Sequence, residues 1–224
     1  MAIDVETKDC TALSDAEVAE MGDLCADGPS SYDIGLLSEQ REEWVLVTQA
    51  RSNGVLQGFS FCTLERIGGT PCVLIGLASI KRTGKRGEAL KALIGDQLRR
   101  AVLAFPDEDV LIGTRFVDPS GFDAFTAYRK LNDVVPRPDH KPTGEDRAWG
   151  RRLAKRFGVD ADYDERAFVA RGDGGPACAL DHDSAKPDKI TPEVRALFDA
   201  LNPAKGDTLV AFGWAMAEDL ASLA

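Results

Sequence analysis

Apolar positions along the chain follow two spacings, one helical and one alternating. Ser14 to Glu17 reads S-x-x-E ahead of Val18, Met21 and Leu24, a capping box that opens a short amphipathic helix. Residues 3–5 read as a short first strand, 28–31 as a turn and 34–43 as a second helix. Three strands are then expected in succession. Residues 44–50 end at the turn Ser52-Asn53-Gly54, residues 55–66 end at Gly68-Gly69, and residues 71–80 form the third. Val73 to Leu77 is apolar on both faces, which marks a central strand. Short turns between the three predict an antiparallel meander.

A long helix follows, with Leu90, Leu93, Ile94, Leu98, Ala101, Val102 and Phe105 at helical spacing and Pro106 closing it. Residues 110–117 read as a strand, 118–121 as a loop and 122–131 as a helix. A meander followed by two strand-loop-helix units predicts an α/β or α+β class. The expected architecture is a mixed, mainly antiparallel central sheet flanked by helices. Past Pro136 the pattern becomes polar. Residues 147–157 form a basic amphipathic helix, 168–170 a short strand, and Thr191-Pro192 caps another helix. Residues 207–214 are a last strand and 216–223 a terminal helix. Residues 172–189, rich in Gly, Asp and Pro, read as a mobile stretch.

Length and charge narrow the class. With 224 residues, a domain over 1–136 and a C-terminal helix/strand extension over 137–224, which completes or covers the sheet, are expected. Asp and Glu number 37 against 27 Lys and Arg, a net charge of -10. That acidity argues against a general nucleic-acid binder or an anionic-membrane binder. The longest nearly apolar run, residues 72–80, is far short of the roughly 18 residues of a membrane helix. Residues 1–6 carry no secretory pattern, and the 5 cysteines contain no CxxC pair. A cytoplasmic protein with reduced thiols and no metal site is expected.

The strongest chemical signal joins the central strand to the long helix. Lys81, Arg82, Lys85 and Arg86 interleave with Gly84 and Gly87 in front of a helix N-terminus. Backbone amides, helix dipole and four cations together suit a pyrophosphate. The alternative is a solvated basic loop. A nucleotide P-loop does not fit, because Arg86 follows Gly84-Lys85 where Ser or Thr is required. No G-x-G-x-x-G pattern is present at this join.

Residues 78–90 resemble the acyl-CoA pyrophosphate loop of the GNAT acetyltransferase superfamily, Arg/Gln-x-x-Gly-x-Gly/Ala before a helix. Arg82 and Gly87 take the first and last places and Leu90 a common helix position. Lys85 stands at the central glycine place, with Gly84 one step early. A second stretch, Val117-Asp118-Pro119 through Ala124 to Tyr128-Arg129-Lys130-Leu131, resembles the other hallmark of that family. Gly121 replaces the family's usual Asn, and Asn132-Asp133 replaces its Gly-Phe. The resemblance covers residues 3–136.

The resemblance implies acetyl-CoA as co-substrate and direct attack by an amine in a ternary complex, with no covalent acyl-enzyme and no metal. It places acetyl-CoA between strands 71–80 and 110–117. Ser79, Ile80 and Lys81 would hold the pantetheine arm, and Arg82, Gly84, Lys85, Arg86 and Gly87 the pyrophosphate. It gives Tyr128 the role of protonating the leaving thiolate; the other reading is packing against Ala124 and Leu131. The acceptor is expected to be a small-molecule or peptide amine, with a homodimer as one expected assembly.

An attacking amine must lose a proton, yet residues 72–80 carry no carboxylate. Glu65 at the end of the neighbouring strand is the substitute base, against its reading as a solvated carboxylate beside Arg66. Asp118, a turn residue by type, and a water chain are the other routes. The missing base leaves a second class open, a catalytically degenerate acyl-CoA-binding or protein-interaction module. Elsewhere, Trp149, Leu153 and Phe157 predict a helix covering the sheet with Arg147, Arg151, Arg152, Lys155 and Arg156 in water, the other reading being a clamp for an acidic substrate or partner. Gly213-Trp214 reads as core rather than as the lining of a substrate pocket, and Asp181-His182-Asp183 as hydrophilic rather than metal-binding.

Overall fold

The computed structural model describes residues 2–26, 28 and 32–220. The chain opens with strand β1 (Asp4–Asp9) and helices α1 (Asp15–Ala26) and α2 (Ile34–Glu43). The capping box forms as the pattern requires. Ser14 N–H donates to Glu17 at 3.0 Å, and Glu17 N–H donates back to Ser14 Oγ at 3.3 Å. Asp33 caps α2 by accepting from Leu36 N–H at 2.8 Å. The turn expected over 28–31 lies outside the described residues except at Gly28.

The meander is β2 (Leu46–Ser52), β3 (Val55–Ile67) and β4 (Thr70–Ile80), all antiparallel. Helix α3 (Arg86–Ala104), strand β5 (Val110–Phe116), helix α4 (Pro119–Thr126) and strand β6 (Asn132–Val135) follow. Then come α5 (Gly144–Arg156), β7 (Tyr163–Asp164), β8 (Val169–Ala170), β9 (Leu180–Asp181), α6 (Pro192–Ala196), β10 (Thr208–Ala215) and α7 (Ala217–Leu220). The sheet runs β1-β2-β3-β4-β5-β10-β8-β7. β6 shares the far edge of β10 with β8, and β9 pairs with β4. The sheet is thus mixed and mainly antiparallel, flanked by helices.

Helix α4 and the stretch 172–189 depart from expectation. Helix α4 begins at Pro119 and ends at Thr126, not at 122 and 131. Asp118 accepts from the amides of Ser120 and Gly121 at 2.7 and 3.3 Å, and Pro119 takes the first helical position. Those cap signals start the helix three residues before its apolar pattern. Tyr128 therefore lies beyond its end. The stretch expected to be mobile, 172–189, instead contains β9 and buries Leu180, Asp181, His182 and Ser184. The terminal helix expected over 216–223 is α7, its last residues lying outside the described ones.

Period-2 alternation in β5 sorts its neighbours. Gly113 faces Leu153 and Arg115 faces Phe157, both on the α5 side. Phe116 points the other way, to Phe122 and Phe125 of α4 at 5.5 and 5.4 Å. Trp149, Leu153 and Phe157 are buried, so α5 covers the sheet as its pattern requires. Trp214, half-buried rather than core, meets Trp149 edge-on at 5.8 Å and lines a pocket of about 300 Å³.

The decisive local feature is in β4. Phe61 pairs with Leu77 but Cys62 pairs with Ile75, so Gly76 is an extra, unpaired residue. This β-bulge bends the strand. Parallel pairing of β4 with β5 covers only Cys72–Leu74 against Leu111–Gly113 and stops there. Gly76 must be glycine because a Cβ would lie 1.9 Å from the Trp44 ring. Trp44 itself is fixed by its Nε1–H donating to Gln40 at 3.0 Å. We expect Gly76→Ala to lower unfolding free energy by about 1–3 kcal/mol, from overpacking against Trp44. Urea denaturation checks this, and an unchanged midpoint would show that the ring moves aside freely.

Candidate functional site

Beyond the bulge, β4 and β5 diverge into a cleft. At its apex, side chains replace the lost ladder. Thr114 Oγ1–H donates to the Ile75 carbonyl at 3.0 Å, and Arg115 Nη2 reaches the Gly76 carbonyl at 3.4 Å. Arg115 is buried, with its guanidinium 4.9 Å from the Phe157 ring centroid. Burial draws its pKa down from the ordinary arginine value.

Further out, the β4 edge that β5 leaves unpaired is taken by the chain's own residues 177–186. Ala78 pairs with Leu180 and Ser79 with Asp181, in parallel. Ala78 N–H donates to the Ala179 carbonyl at 3.1 Å. Tyr32 O–H bridges the carbonyls of Ala177 and Ala179 at 3.2 and 3.3 Å. Gly121, at the start of α4, lets the segment come close, because a Cβ there would lie 2.8 Å from the Leu180 carbonyl oxygen.

The basic loop is engaged by the same segment. Arg82 pairs with Asp181 at 2.6 Å and reaches Asp183 at 3.4 Å. Arg86 donates to the carbonyls of Asp183 and Ser184, each at 3.1 Å, and to that of Thr83 at 3.0 Å. Lys81 N–H is held by the Gln57 carbonyl at 2.8 Å, and the Ile80 carbonyl accepts from Arg82 at 3.3 Å. Lys85 is the N-cap of α3, without a side-chain cap bond, and its Nζ lies 3.4 Å from Ser52 Oγ. Around Gly84 and Gly87 a Cβ would meet nothing within 4 Å. The chain's own packing therefore makes no demand for glycine at either place. The structure thus brings Ser79, Ile80, Lys81, Arg82 and Arg86 to one cleft wall, with Gly84 and Gly87 bordering open space.

That space continues as a cleft of about 270 Å³ between α3 and the end of α4, lined by Gly87, Leu90, Lys91, Tyr128, His182 and Lys186. Tyr128 lies against α3, since a Cβ on Gly95 would stand 3.4 Å from its hydroxyl. Burial raises the Tyr128 pKa, so the phenol keeps its proton at neutral pH.

Glu65 is not brought to this cleft. It forms a two-pronged pair with Arg156 at 2.7 and 3.2 Å. It pairs across the sheet with Cys72, six residues along β4 from Ala78 and so roughly 20 Å away. Asp118 is closer, since its pKa is affected by the neighbouring Arg82 and Asp183 charges. Burial raises it despite the two amides it accepts from. Sequence reasoning missed Asp181 and the burial of its segment. The one available signal was the short apolar run Ala177–Leu180 inside a polar stretch. Asp181 and His182 diverge, the first to Arg82 and the second to the Arg86 carbonyl. Among the described residues, no His/Cys/Asp/Glu cluster is arranged to hold a metal. No helix among them is long and apolar enough to cross a membrane.

His182 is 1 % exposed. Its Nε2 lies 3.3 Å from the Arg86 carbonyl, which can only accept, so Nε2 carries the proton; Nδ1 is buried without a partner. Burial pushes its pKa down to about 4.

Comparison with solved structures gives a likeness to N-acetyltransferases. A ribosomal-protein-alanine N-acetyltransferase from Brucella melitensis biovar Abortus 2308 is 21% identical over 46% of this chain and 73% of its own, with a TM-score of 0.35. The aminoglycoside 6'-N-acetyltransferase from Enterococcus faecium is 12% identical over 59% of this chain and 88% of its own, at 0.45. The NatC complex, solved with a Gag peptide and CoA, is 16% identical over 56% and 82%, at 0.40. No family model and no curated protein matches the chain. At these identities and TM-scores activity has to be read from the chain's own residues.

The buried histidine gives a prediction with a definite sign. An unfolded His titrates near 6.5, and His182 when folded near 4. The neutral form is preferred in the fold, so its contribution is complete above about pH 6.5 and is lost as pH falls through about 4. The loss amounts to at most about 3 kcal/mol. Asp118 and Asp181 have raised pKa values, and their contributions run the opposite way. Subtracting the pH profile of His182→Gln isolates the histidine. Denaturation midpoints between pH 7 and 4 should fall more steeply in the wild type; parallel profiles would disprove a neutral buried imidazole.

Proposed function

We propose that the protein is an N-acetyltransferase that transfers the acetyl group of acetyl-CoA to an amine. One observation carries this reading. The cleft holds an extended chain whose backbone pairs with the β4 edge at Ala78 and Ser79 and whose anionic and carbonyl oxygens sit on Arg82 and Arg86. An extended amide-bearing arm joined to a pyrophosphate has that same sequence of groups. The pantetheine arm would lie on Ser79, Ile80 and Lys81. The pyrophosphate would sit on Arg82, Arg86 and the start of α3, where the open space at Gly84 and Gly87 admits it.

In the reaction the amine attacks the thioester carbonyl carbon, the C–S bond breaks, and the CoA sulfur takes a proton. Tyr128, protonated at neutral pH, is the donor in the cleft. The amine's proton leaves to water or to Asp118, whose raised pKa makes it a better acceptor than an ordinary aspartate. The acceptor is a small-molecule or peptide amine, and the net charge of -10 favours encounter with a cationic one.

Thiol release from acetyl-CoA over a panel of amines tests the reading. Tyr128→Phe should lower kcat by about 10²-fold with little change in KM for acetyl-CoA. Full turnover in that variant would remove its acid role. Gly87→Val should weaken acetyl-CoA binding at least about tenfold while stability stays within about 0.5 kcal/mol, because a Cβ at Gly87 points into open space with no protein atom within 4 Å. Tight binding without turnover on any amine would point to a binding module instead.

A further inference from the structure

We infer that residues 177–186 form an intramolecular strap that competes with acyl-CoA for the β4–β5 cleft, so that strap seating and cofactor binding exclude each other. The inference rests on the acetyltransferase reading above and adds its regulation.

The exclusion is one of atoms. The strap occupies the β4 edge at Ala78 and Ser79, which a pantetheine arm would need. It neutralises Arg82 with a carboxylate and engages Arg86 Nε and Nη2 with two carbonyls, donors that a pyrophosphate would need. The β4 edge and the Arg82 pairing cannot serve two occupants at once.

The strap is also built to leave. Its regular structure is only two residues long, Leu180 and Asp181. Three glycines, Gly172, Gly174 and Gly175, precede it, and Pro187 follows it. Its other anchors are single contacts: the Tyr32 hydroxyl, Ser79 Oγ 3.5 Å from Asp181, His182 Nε2 3.3 Å from the Arg86 carbonyl, Ser184 Oγ–H donating to Asp123 at 2.9 Å, and the buried Leu180 side chain. Seating buries the Asp181 carboxylate completely, next to the like charges of Asp118 and Asp183. Burial raises the pKa of Asp181 even with Arg82 against it. A pyrophosphate would place two negative charges on the same cations from the more open side and leave Asp181 to water. Binding then reads out the open fraction, because the apparent dissociation constant is the intrinsic one divided by that fraction.

Two substitutions weaken the strap by different means and leave Arg82 and Arg86 in place. Asp181→Asn keeps the side-chain shape and removes the ion pair with Arg82. Gly121→Ala puts a Cβ 2.8 Å from the Leu180 carbonyl oxygen and pushes the strap outward. Each should tighten acetyl-CoA binding by calorimetry at least about tenfold. In the unsubstituted protein, acetyl-CoA should speed hydrogen exchange in the peptide covering residues 177–186 and slow it over residues 78–88. This second measurement needs no variant. Wild-type binding with the strap still protected, or affinities in both variants equal to wild type, would overturn the strap and leave the acetyltransferase reading intact. No binding of millimolar acetyl-CoA by any of the three proteins would overturn the acetyltransferase reading itself, and the strap's role with it.

Discussion

A single unpaired residue, Gly76, shapes the rest of the molecule. Because Trp44 fills the place where a Cβ would stand, the bulge in β4 is locked in position by a ring that α2 and α5 hold from outside. Parallel pairing with β5 ends two residues earlier, at Leu74. Without the bulge, β4 and β5 would continue as a closed ladder and the interior would hold no cleft. The cleft is therefore a consequence of one packing contact between a glycine and an indole, made by residues 32 positions apart.

An open strand edge inside a protein is costly, because its amides and carbonyls have lost water without gaining partners. The chain meets that cost at each level of the cleft by a different means. At the apex, Thr114 and Arg115 reach across with side chains. Further out, where the gap is too wide for side chains, β9 supplies backbone. At the mouth, Arg82 and Arg86 meet carboxylate and carbonyl oxygens of the same segment. A ligand that pairs with the β4 edge or with Arg82 must replace bonds that already exist there.

Elements whose signals are local were legible in the sequence. The capping box at Ser14, the helix Ile34–Glu43 and the long strands β3 and β4 follow from spacing and turn residues alone. The cations and glycines of the loop were equally visible, since their types suit one chemistry whatever surrounds them. Helix α4 was misplaced because the Asp118-Pro119 cap outweighs the apolar pattern behind it. Glu65 was misread because strand position gives no hint of Arg156, 91 residues later, which claims it. The strap was missed for a related reason. Gly, Asp and Pro around a short apolar run favour mobility locally, and only the vacant edge of β4 makes burial of Leu180 and Asp181 favourable. The bulge itself leaves no mark in sequence beyond a glycine in a strand.

Electrostatics decides what can displace the strap. In a chain of net charge -10, a loop with Arg82 and Arg86 is a local exception, and the protein spends it on its own acidic segment. A ligand bearing one carboxylate would gain little by exchange, since it would substitute one such charge for another and still pay for the strap's released backbone bonds. A ligand with two adjacent charges and its own amides offers more to both the cations and the strand edge. The strap therefore acts as a threshold, admitting molecules that match the cleft along its whole length and excluding those that match it at one end.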